Sequence, residues 1–285
     1  MNYSPFAAMR GLFARPLHVA AAVFLIVAAA EIGWLNFLVA FEHRLSDFFF
    51  RTYAAGLAPD PDVVIVDIDE KSLLRMQKTA GKWPWPRAIH GELLAGIVAQ
   101  KPRAVMFDIL FSEEDTFRPD SDRAFNAALK ATDNVYLPMV RLPAKNDANG
   151  VRIADVAALL HIRPTPHAQQ DARVALLPPQ AVDVALWRTG IADFNEDADG
   201  VGRRYWIGMP AYGWRIPSLP FRVATDLGYA VPDVESIILQ WRGHAGSFQH
   251  ISYSDLYEDF NRRTRTRPPD ELAGKIVIIG SAASM

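Results

Sequence analysis

Asp62-Val63-Val64-Ile65-Val66-Asp67-Ile68-Asp69 decides how this chain folds. The run is short, apolar and mostly β-branched, which predicts a strand buried on both faces, as in a parallel sheet. Asp69-Glu70-Lys71-Ser72 then reads as a helix start. Beyond it lies Gly81-Lys82-Trp83-Pro84-Trp85-Pro86-Arg87, whose prolines fix φ and remove two backbone donors, so the stretch is expected to be an extended, stiff connector carrying two indoles. From Arg87 to Gln100, the residues Ile89, Leu93, Leu94, Ile97 and Val98 recur at helical spacing, and Lys101-Pro102 stops the pattern. Ala104-Val-Met-Phe-Asp-Ile-Leu-Phe111 follows as a second buried strand. Strand, loop and helix, then strand, is a βαβ-like unit whose crossover favours parallel pairing of its two strands.

Working outward, strands are predicted at 134–140, 191–194, 205–209, 237–240 and 275–279, and helices at 121–131, 218–227 and 253–263. Residues 144–172 are polar, with Gly150, Pro164 and Pro166, and read as an insertion over the sheet. Phe41 to Leu57 is expected to be a helix, with Phe48, Phe49 and Phe50 packing where it meets the domain. The predicted class is mixed α/β with a partly parallel sheet and flanking helices, preceded by one N-terminal transmembrane helix.

The order of Val-Asp-Ile-Asp69, Trp83-Pro-Trp-Pro-Arg87 and Val105-Met-Phe-Asp-Ile-Leu-Phe-Ser112 resembles the second class of CHASE domains, the extracellular sensory modules of bacterial cyclases and histidine kinases. Gly190-Ile-Ala-Asp-Phe-Asn-Glu-Asp-Ala-Asp-Gly200 with Arg203-Arg204, Ile216-Pro-Ser-Leu-Pro220 and Gly274-Lys-Ile-Val-Ile-Ile-Gly-Ser281 fit the same pattern. The Trp-Pro string is the specific part; the glycine-flanked final strand would fit many α/β proteins. The resemblance covers Phe41 to the C-terminus. It implies a sensory domain at 42–285 with no catalytic residue of its own. Proteins of this kind continue, after a strand like the last one here, into further membrane helices and a cytoplasmic cyclase, kinase or diguanylate cyclase. The output is accordingly expected to lie outside this chain.

Composition sets the outer bounds. Of 285 residues, 50% are hydrophobic and 22% charged, which is globular rather than disordered. A net charge of −2 provides no basic face for nucleic acid, so none is expected as a partner. The absence of cysteine excludes disulfides, thiolate metal sites and a cysteine nucleophile.

Leu17 to Phe41 is the one long apolar segment, and Val19 to Leu38 supplies the roughly 20 residues a spanning helix needs. Glu31 and Asn36 interrupt it; the glutamate either turns toward other helices or snorkels to the outer interface. A cleaved leader competes, with Val19 to Val27 as its apolar core and Ala28-Ala29-Ala30 as its cleavage site. Against a leader, apolar character resumes at Ile32 and runs through Trp34, Leu35, Phe37, Leu38 and Val39. The expectation is a retained helix over 19–41, residues 1–18 in the cytoplasm and the body in the periplasm, anchored in the inner membrane. Arg10 and Arg15 precede the span and acids follow it, which favours that orientation weakly. The resemblance favours it more.

Several constellations are candidates for chemistry. Asp67, Asp69 and Asp108 fall at or near the C-terminal ends of the two predicted strands, with Glu113, Glu114 and Asp115 in the next loop. In open α/β sheets that edge binds ligands, and carboxylates there suit a hard cation or a cationic or polyhydroxy molecule. The structural alternative is that Asp69 caps a helix while Asp67 or Asp108 bonds loop amides or Arg87. Asp67 and Asp69 also fit the opening of a Mg²⁺-dependent phosphatase of the haloacid dehalogenase type, although Lys71 stands where Thr or Val belongs. Asn195 to Gly200 has calcium-loop spacing, but Trp206 occupies the position of the bidentate Glu, so a hairpin turning at Asp199-Gly200 is expected instead. Trp83 and Trp85 can stack on a ring or cation while Arg87 grips an anion, or they can wedge the loop against the sheet. His90 is expected to be a partly exposed neighbour, Trp206, Trp214 and Trp241 to belong to the core or its rim, and Arg262, Arg263, Arg265 and Arg267 to form a solvated basic edge.

The sequence therefore predicts a membrane-anchored extracytoplasmic sensory domain. Its candidate ligand residues are Trp83, Trp85, Arg87, Asp67, Asp69 and Asp108; no metal, cofactor or catalytic residue is assigned. Its partners are the lipid bilayer, an unidentified signal molecule and a second copy of the chain. A free-standing envelope binding or scaffold module is the alternative, with the phosphatase as a third reading.

Overall fold

The computed structural model describes residues 5–30, 37–194, 196–197 and 199–281. Two compact units divide at Leu57 and Ala58. The first holds helices α1 (Pro5–Ala30) and α2 (Phe37–Ala55). In α1 the apolar residues Val19, Phe24, Leu25 and Ile26 are exposed, and in α2 so are Phe48 and Phe49. The expected span over 19–41 crosses residues 31–36, which lie outside the described residues. Among the described residues no helix is long and apolar enough to cross a membrane.

The second unit is mixed α/β. Its first half contains β1 (Val63–Asp67), α3 (Glu70–Ala80), α4 (Arg87–Ala99), β2 (Ala104–Phe107), α5 (Pro119–Lys130) and β3 (Val135–Arg141). The middle is built of short pieces: β4 (Val151–Arg152), α6 (Ile153–Val156), β5 (Arg163–Pro164), β6 (Arg173–Val174), β7 (Leu176–Leu177) and β8 (Thr189–Ile191). Then come β9 (Arg204–Trp206), β10 (Gly208–Ala211), β11 (Trp214–Pro217), α7 (Leu219–Asp226), β12 (Ser236–Ile238), β13 (Gln249–Ser252), α8 (Tyr253–Phe260) and β14 (Ile276–Gly280).

The principal sheet runs β13-β1-β14-β2-β3, with β8 and β7 both on β3. All its pairings are parallel except β3 with β7. The βαβ-like unit read from the sequence is present and its strands are parallel, but they are not neighbours. β14, last in the chain, lies between them, with Val66 opposite Ile279 and Ile279 opposite Phe107.

Burial along β1 corrects a second expectation. Val64 and Val66 are fully buried while Val63, Ile65 and Asp67 are only half-buried, and β14 alternates the same way. The buried side faces α3, α4, α5 and α8 through a core that includes Leu93, Leu94, Phe107, Phe125 and Leu256. Helix α7 covers the other face only farther along, where Leu219 and Val223 pack on Ala104 and Tyr136. There β3 is buried on both faces. A continuous β-branched run is thus compatible with one fully covered face and one half-covered face.

Residues 144–172, polar in overall composition, nonetheless contribute apolar anchors. Ile153, Leu160 and Ile162 form a second core with Met139, Val174, Ile191, Trp214 and Ile216. Asp147 ties the segment down, accepting from Arg141 at 2.6 Å, Tyr212 at 2.8 Å and the Ala175 amide at 2.9 Å. The expected hairpin at Asp199-Gly200 is also corrected. The turn exists, with Gly200 at φ 76°, but β8 pairs with β3 and β9 pairs with β12. Arg203 clamps the turn instead, donating to Asp197 at 3.0 Å and Asp199 at 2.8 Å. Asn195 and Ala198 of that segment lie outside the described residues.

Candidate functional site

The parallel strands bring their carboxyl ends to one edge, and three of the predicted site residues meet there. Asp67 ends β1 opposite Gly280 of β14. Asp108 follows β2, its amide donating to Ile279 at 2.7 Å. A Cβ on Gly280 would stand 3.3 Å from that of Asp108, so Gly280 gives the Asp108 side chain its room.

Asp69 is engaged in holding the backbone. Its carboxylate accepts from the Ser72 amide at 2.7 Å, capping α3, and from the Ser252 hydroxyl at 3.1 Å. Ser72 and Ser252 are 3.0 Å apart, and the Ser254 amide donates to Ser72 at 3.1 Å. Burial alone would raise the Asp69 pKa; these hydrogen bonds outweigh it and hold the carboxyl below its usual value. Asp67 has His250 Nδ1 at 3.6 Å. Asp108 behaves differently, because burial pushes its pKa up. Tyr205 of β9 feels the charges of Asp108 and of Asp193, and its own pKa is raised chiefly by burial. Asp193 and Tyr205 therefore join this edge. Asp193 lies in the Gly190–Gly200 stretch already quoted, but nothing local in that stretch or around Tyr205 points to this edge; the long-range path of the chain brings them there.

The Trp-Pro loop stands on the helix-covered side. Gly81 at φ 83° ends α3, the Trp83–Pro84 peptide is cis, and the backbone bends over 82–84 where the sequence predicted extension. The two indoles meet edge to face at 5.1 Å. Trp85 is buried against Tyr253, ring centroids 5.0 Å apart, and its indole N–H has no hydrogen-bond partner among the described residues. Trp83 is half-buried and packs on the same core. Arg87 turns to Asp122 at 2.8 Å and also donates to the Glu113 carbonyl, rather than to Asp67 or Asp108. Asp122 in turn accepts from the Asp115 amide at 2.8 Å, so the acidic loop after β2 is fastened to α5. Beside it lies an open depression of about 670 Å³ lined by Glu114, Asp115, Arg123, Lys130 and Gln180.

His90 corrects the sequence reading outright. It is buried, not partly exposed, enclosed by the rings of Trp83, Trp85, Phe107, Phe111 and Tyr253. Tyr253 Oη lies 3.0 Å from its Nδ1. Burial pushes the imidazole pKa down to about 3, and the positive charge of Arg87 adds to that. The ring is neutral, and the Tyr253 hydroxyl, kept protonated by its own burial, lies within hydrogen-bond reach of both His90 Nδ1 and the Ile89 carbonyl at 3.4 Å. The predicted residues thus form two groups, the aspartates along the sheet edge and the Trp-Pro loop over the aromatic core. Trp214 is buried as expected, Trp206 is half-buried and Trp241 is exposed. In the expected basic edge, Arg267 is held by Glu271 at 2.6 Å and Arg265 lies over the Phe260 ring.

Among the described residues no three His, Asp or Glu side chains gather in a way that would hold a metal ion. With Asp69 engaged as a cap, the arrangement gives no support to phosphatase chemistry. A family model, the CHASE2 domain, matches residues 19–285. The chain belongs to the CHASE2 family. CHASE2 domains are extracellular sensory modules, so the sensory role read from the Trp-Pro string and its flanking strands holds for this chain at that level. Neither a curated protein nor a solved structure was found to match it.

Proposed function

We propose that this CHASE2 domain is the membrane-anchored, periplasmic input half of a bacterial receptor, which binds a signal molecule and passes the change to a cytoplasmic cyclase or kinase. The observation that carries the reading is the reach of the family match, which begins at residue 19 and so takes in the apolar segment as well as the α/β unit. The exposed apolar residues of α1 support it, since Val19, Phe24, Leu25 and Ile26 find no core among the described residues of their own unit and suit a lipid environment. A ligand shifts such a receptor only by binding two states unequally. Pairing of the anchor helices of two copies is the bistable element in this account.

Reporter fusions test it. Alkaline phosphatase, active only outside the cytoplasm, joined after Met285 is expected to be active and to sediment with membranes, and β-galactosidase at the same junction to be inactive. The reverse pattern, or a fusion recovered without membranes, removes the reading.

A further inference from the structure

A cavity of about 450 Å³ opens between the segment entering β5, the β10–β11 pair, α7 and the loop after it. That is within the size range of small-molecule sites. One wall is charged in an uncommon way. In the antiparallel pairing of β11 with β5, Arg215 stands directly opposite Arg163. Like charges in that relation repel, because directly opposed side chains share a face with their Cβ atoms only about 5 Å apart.

Little inside the protein relieves that repulsion. Among the described residues the carboxylate bonded to Arg215 is Asp233 at 2.6 Å, and the Asp233 side chain is 94% exposed. Arg215 Nε is buried and has no hydrogen-bond partner among the described residues. Arg163 is drawn over the Phe221 ring, 5.4 Å from its centroid, rather than to an acid. The remaining charged groups nearby are balanced elsewhere. Arg222 donates to Asp226 at 2.8 Å, and His161 is held toward its neutral form by burial, by Arg222 and by Arg163, against the opposing charge of Asp226. Apolar side chains, Ile207, Pro217, Phe221 and Val231, share the rest of the wall with the hydroxyls of Thr165, Thr225 and Tyr229.

We propose that this cavity binds a small organic carboxylate, its anionic end bridging Arg163 and Arg215 and its apolar body against Phe221 and Val231. Guanidinium groups suit that task because their planar donors match a carboxylate in pairs. The anion takes the place Asp233 holds at Arg215 and releases that side chain to solvent. The site lies apart from the aspartates of the principal sheet edge and from the Trp-Pro loop. It depends on the sensory reading only for its physiological meaning.

Calorimetric titration of the purified full chain in detergent with phenylacetate, hexanoate, their neutral amides and inorganic phosphate tests the proposal. At least one of the two acids is expected to bind more tightly than about 1 mM, with its amide undetected. Arg163→Gln and Arg215→Gln should each weaken binding roughly tenfold or more, and Asp233→Asn should tighten it by removing the competing carboxylate. Arg163 lies on a two-residue exposed strand, so its variant reports on binding even if Arg215→Gln does not fold. Amides binding as well as acids, phosphate binding more tightly than either acid, neither acid binding, or indifference to Arg163→Gln overturns the proposal. Binding is read without any output attached, so its failure leaves the reporter-fusion result standing, and a cytoplasmic location would leave a binding result intact.

Discussion

His90 shows how a single side chain can control the acid stability of this domain. Its imidazole is enclosed by aromatic rings, has the Tyr253 hydroxyl at 3.0 Å, and has its pKa lowered to about 3 by burial and by the charge of Arg87. Above pH 6.5 the ring is neutral whether the chain is folded or not, so it adds no pH dependence. Below that value the unfolded chain takes up a proton that the folded chain refuses, and stability falls until the pH reaches the folded pKa. Between pH 7 and pH 5 this amounts to about 2 kcal/mol. Denaturant unfolding of wild type and His90→Gln at those two pH values checks it. The wild type should lose that much more stability than the variant, and equal losses would mean the buried imidazole is protonated in the folded state. Nothing in Arg87-Ala88-Ile89-His90 announces this role, because a histidine on a helix is buried or exposed according to what packs over it. Here that is the Trp-Pro loop and Tyr253, far apart in sequence.

Elements meet where side chains are absent. A Cβ on Gly190, in the middle of β8, would stand 2.5 Å from the Leu219 Cα and backbone nitrogen at the start of α7. Both obstructing atoms are backbone and cannot rotate away, so Gly190→Ala must push α7 off β8. It is expected to cost about 2 kcal/mol or more, read as a lowered thermal midpoint; an unchanged midpoint would mean that the contact is looser than drawn. Local patterns predicted much at this scale. The apolar runs gave β1, β2, β3 and β14, and the capping pair Asp69 and Ser72 fixed the start of α3. What they could not specify was pairing. The strand after Gly274-Lys275 looks alike in any parallel sheet, and its insertion between β1 and β2 depends on contacts across more than half the chain. The core under residues 144–172 was not legible for a related reason, since a handful of apolar residues is enough when Trp214 and Ile216 arrive from elsewhere to complete it. Of the candidate site, the aspartates at the sheet edge were legible because strand ends are. The cross-strand arginines were not, because Arg163 and Arg215 become neighbours only through the pairing of β11 with β5.

At the scale of the whole molecule, membership in the CHASE2 family and the α/β unit together argue for signal reception. The buried aromatic cluster, the capped sheet edge and the arginine-lined cavity are parts of one scaffold in the second unit. The central claim is that occupancy of this scaffold is transmitted across a membrane. It is tested most directly by joining the chain, through the transmembrane helices of a known receptor, to a diguanylate cyclase and measuring cyclic dinucleotide in membranes with and without added phenylacetate or hexanoate. The account predicts that output changes with the acid, that the amide leaves it unchanged, and that Arg163→Gln abolishes the response to the acid. An output that stays constant in the presence of an acid shown by calorimetry to bind would contradict it.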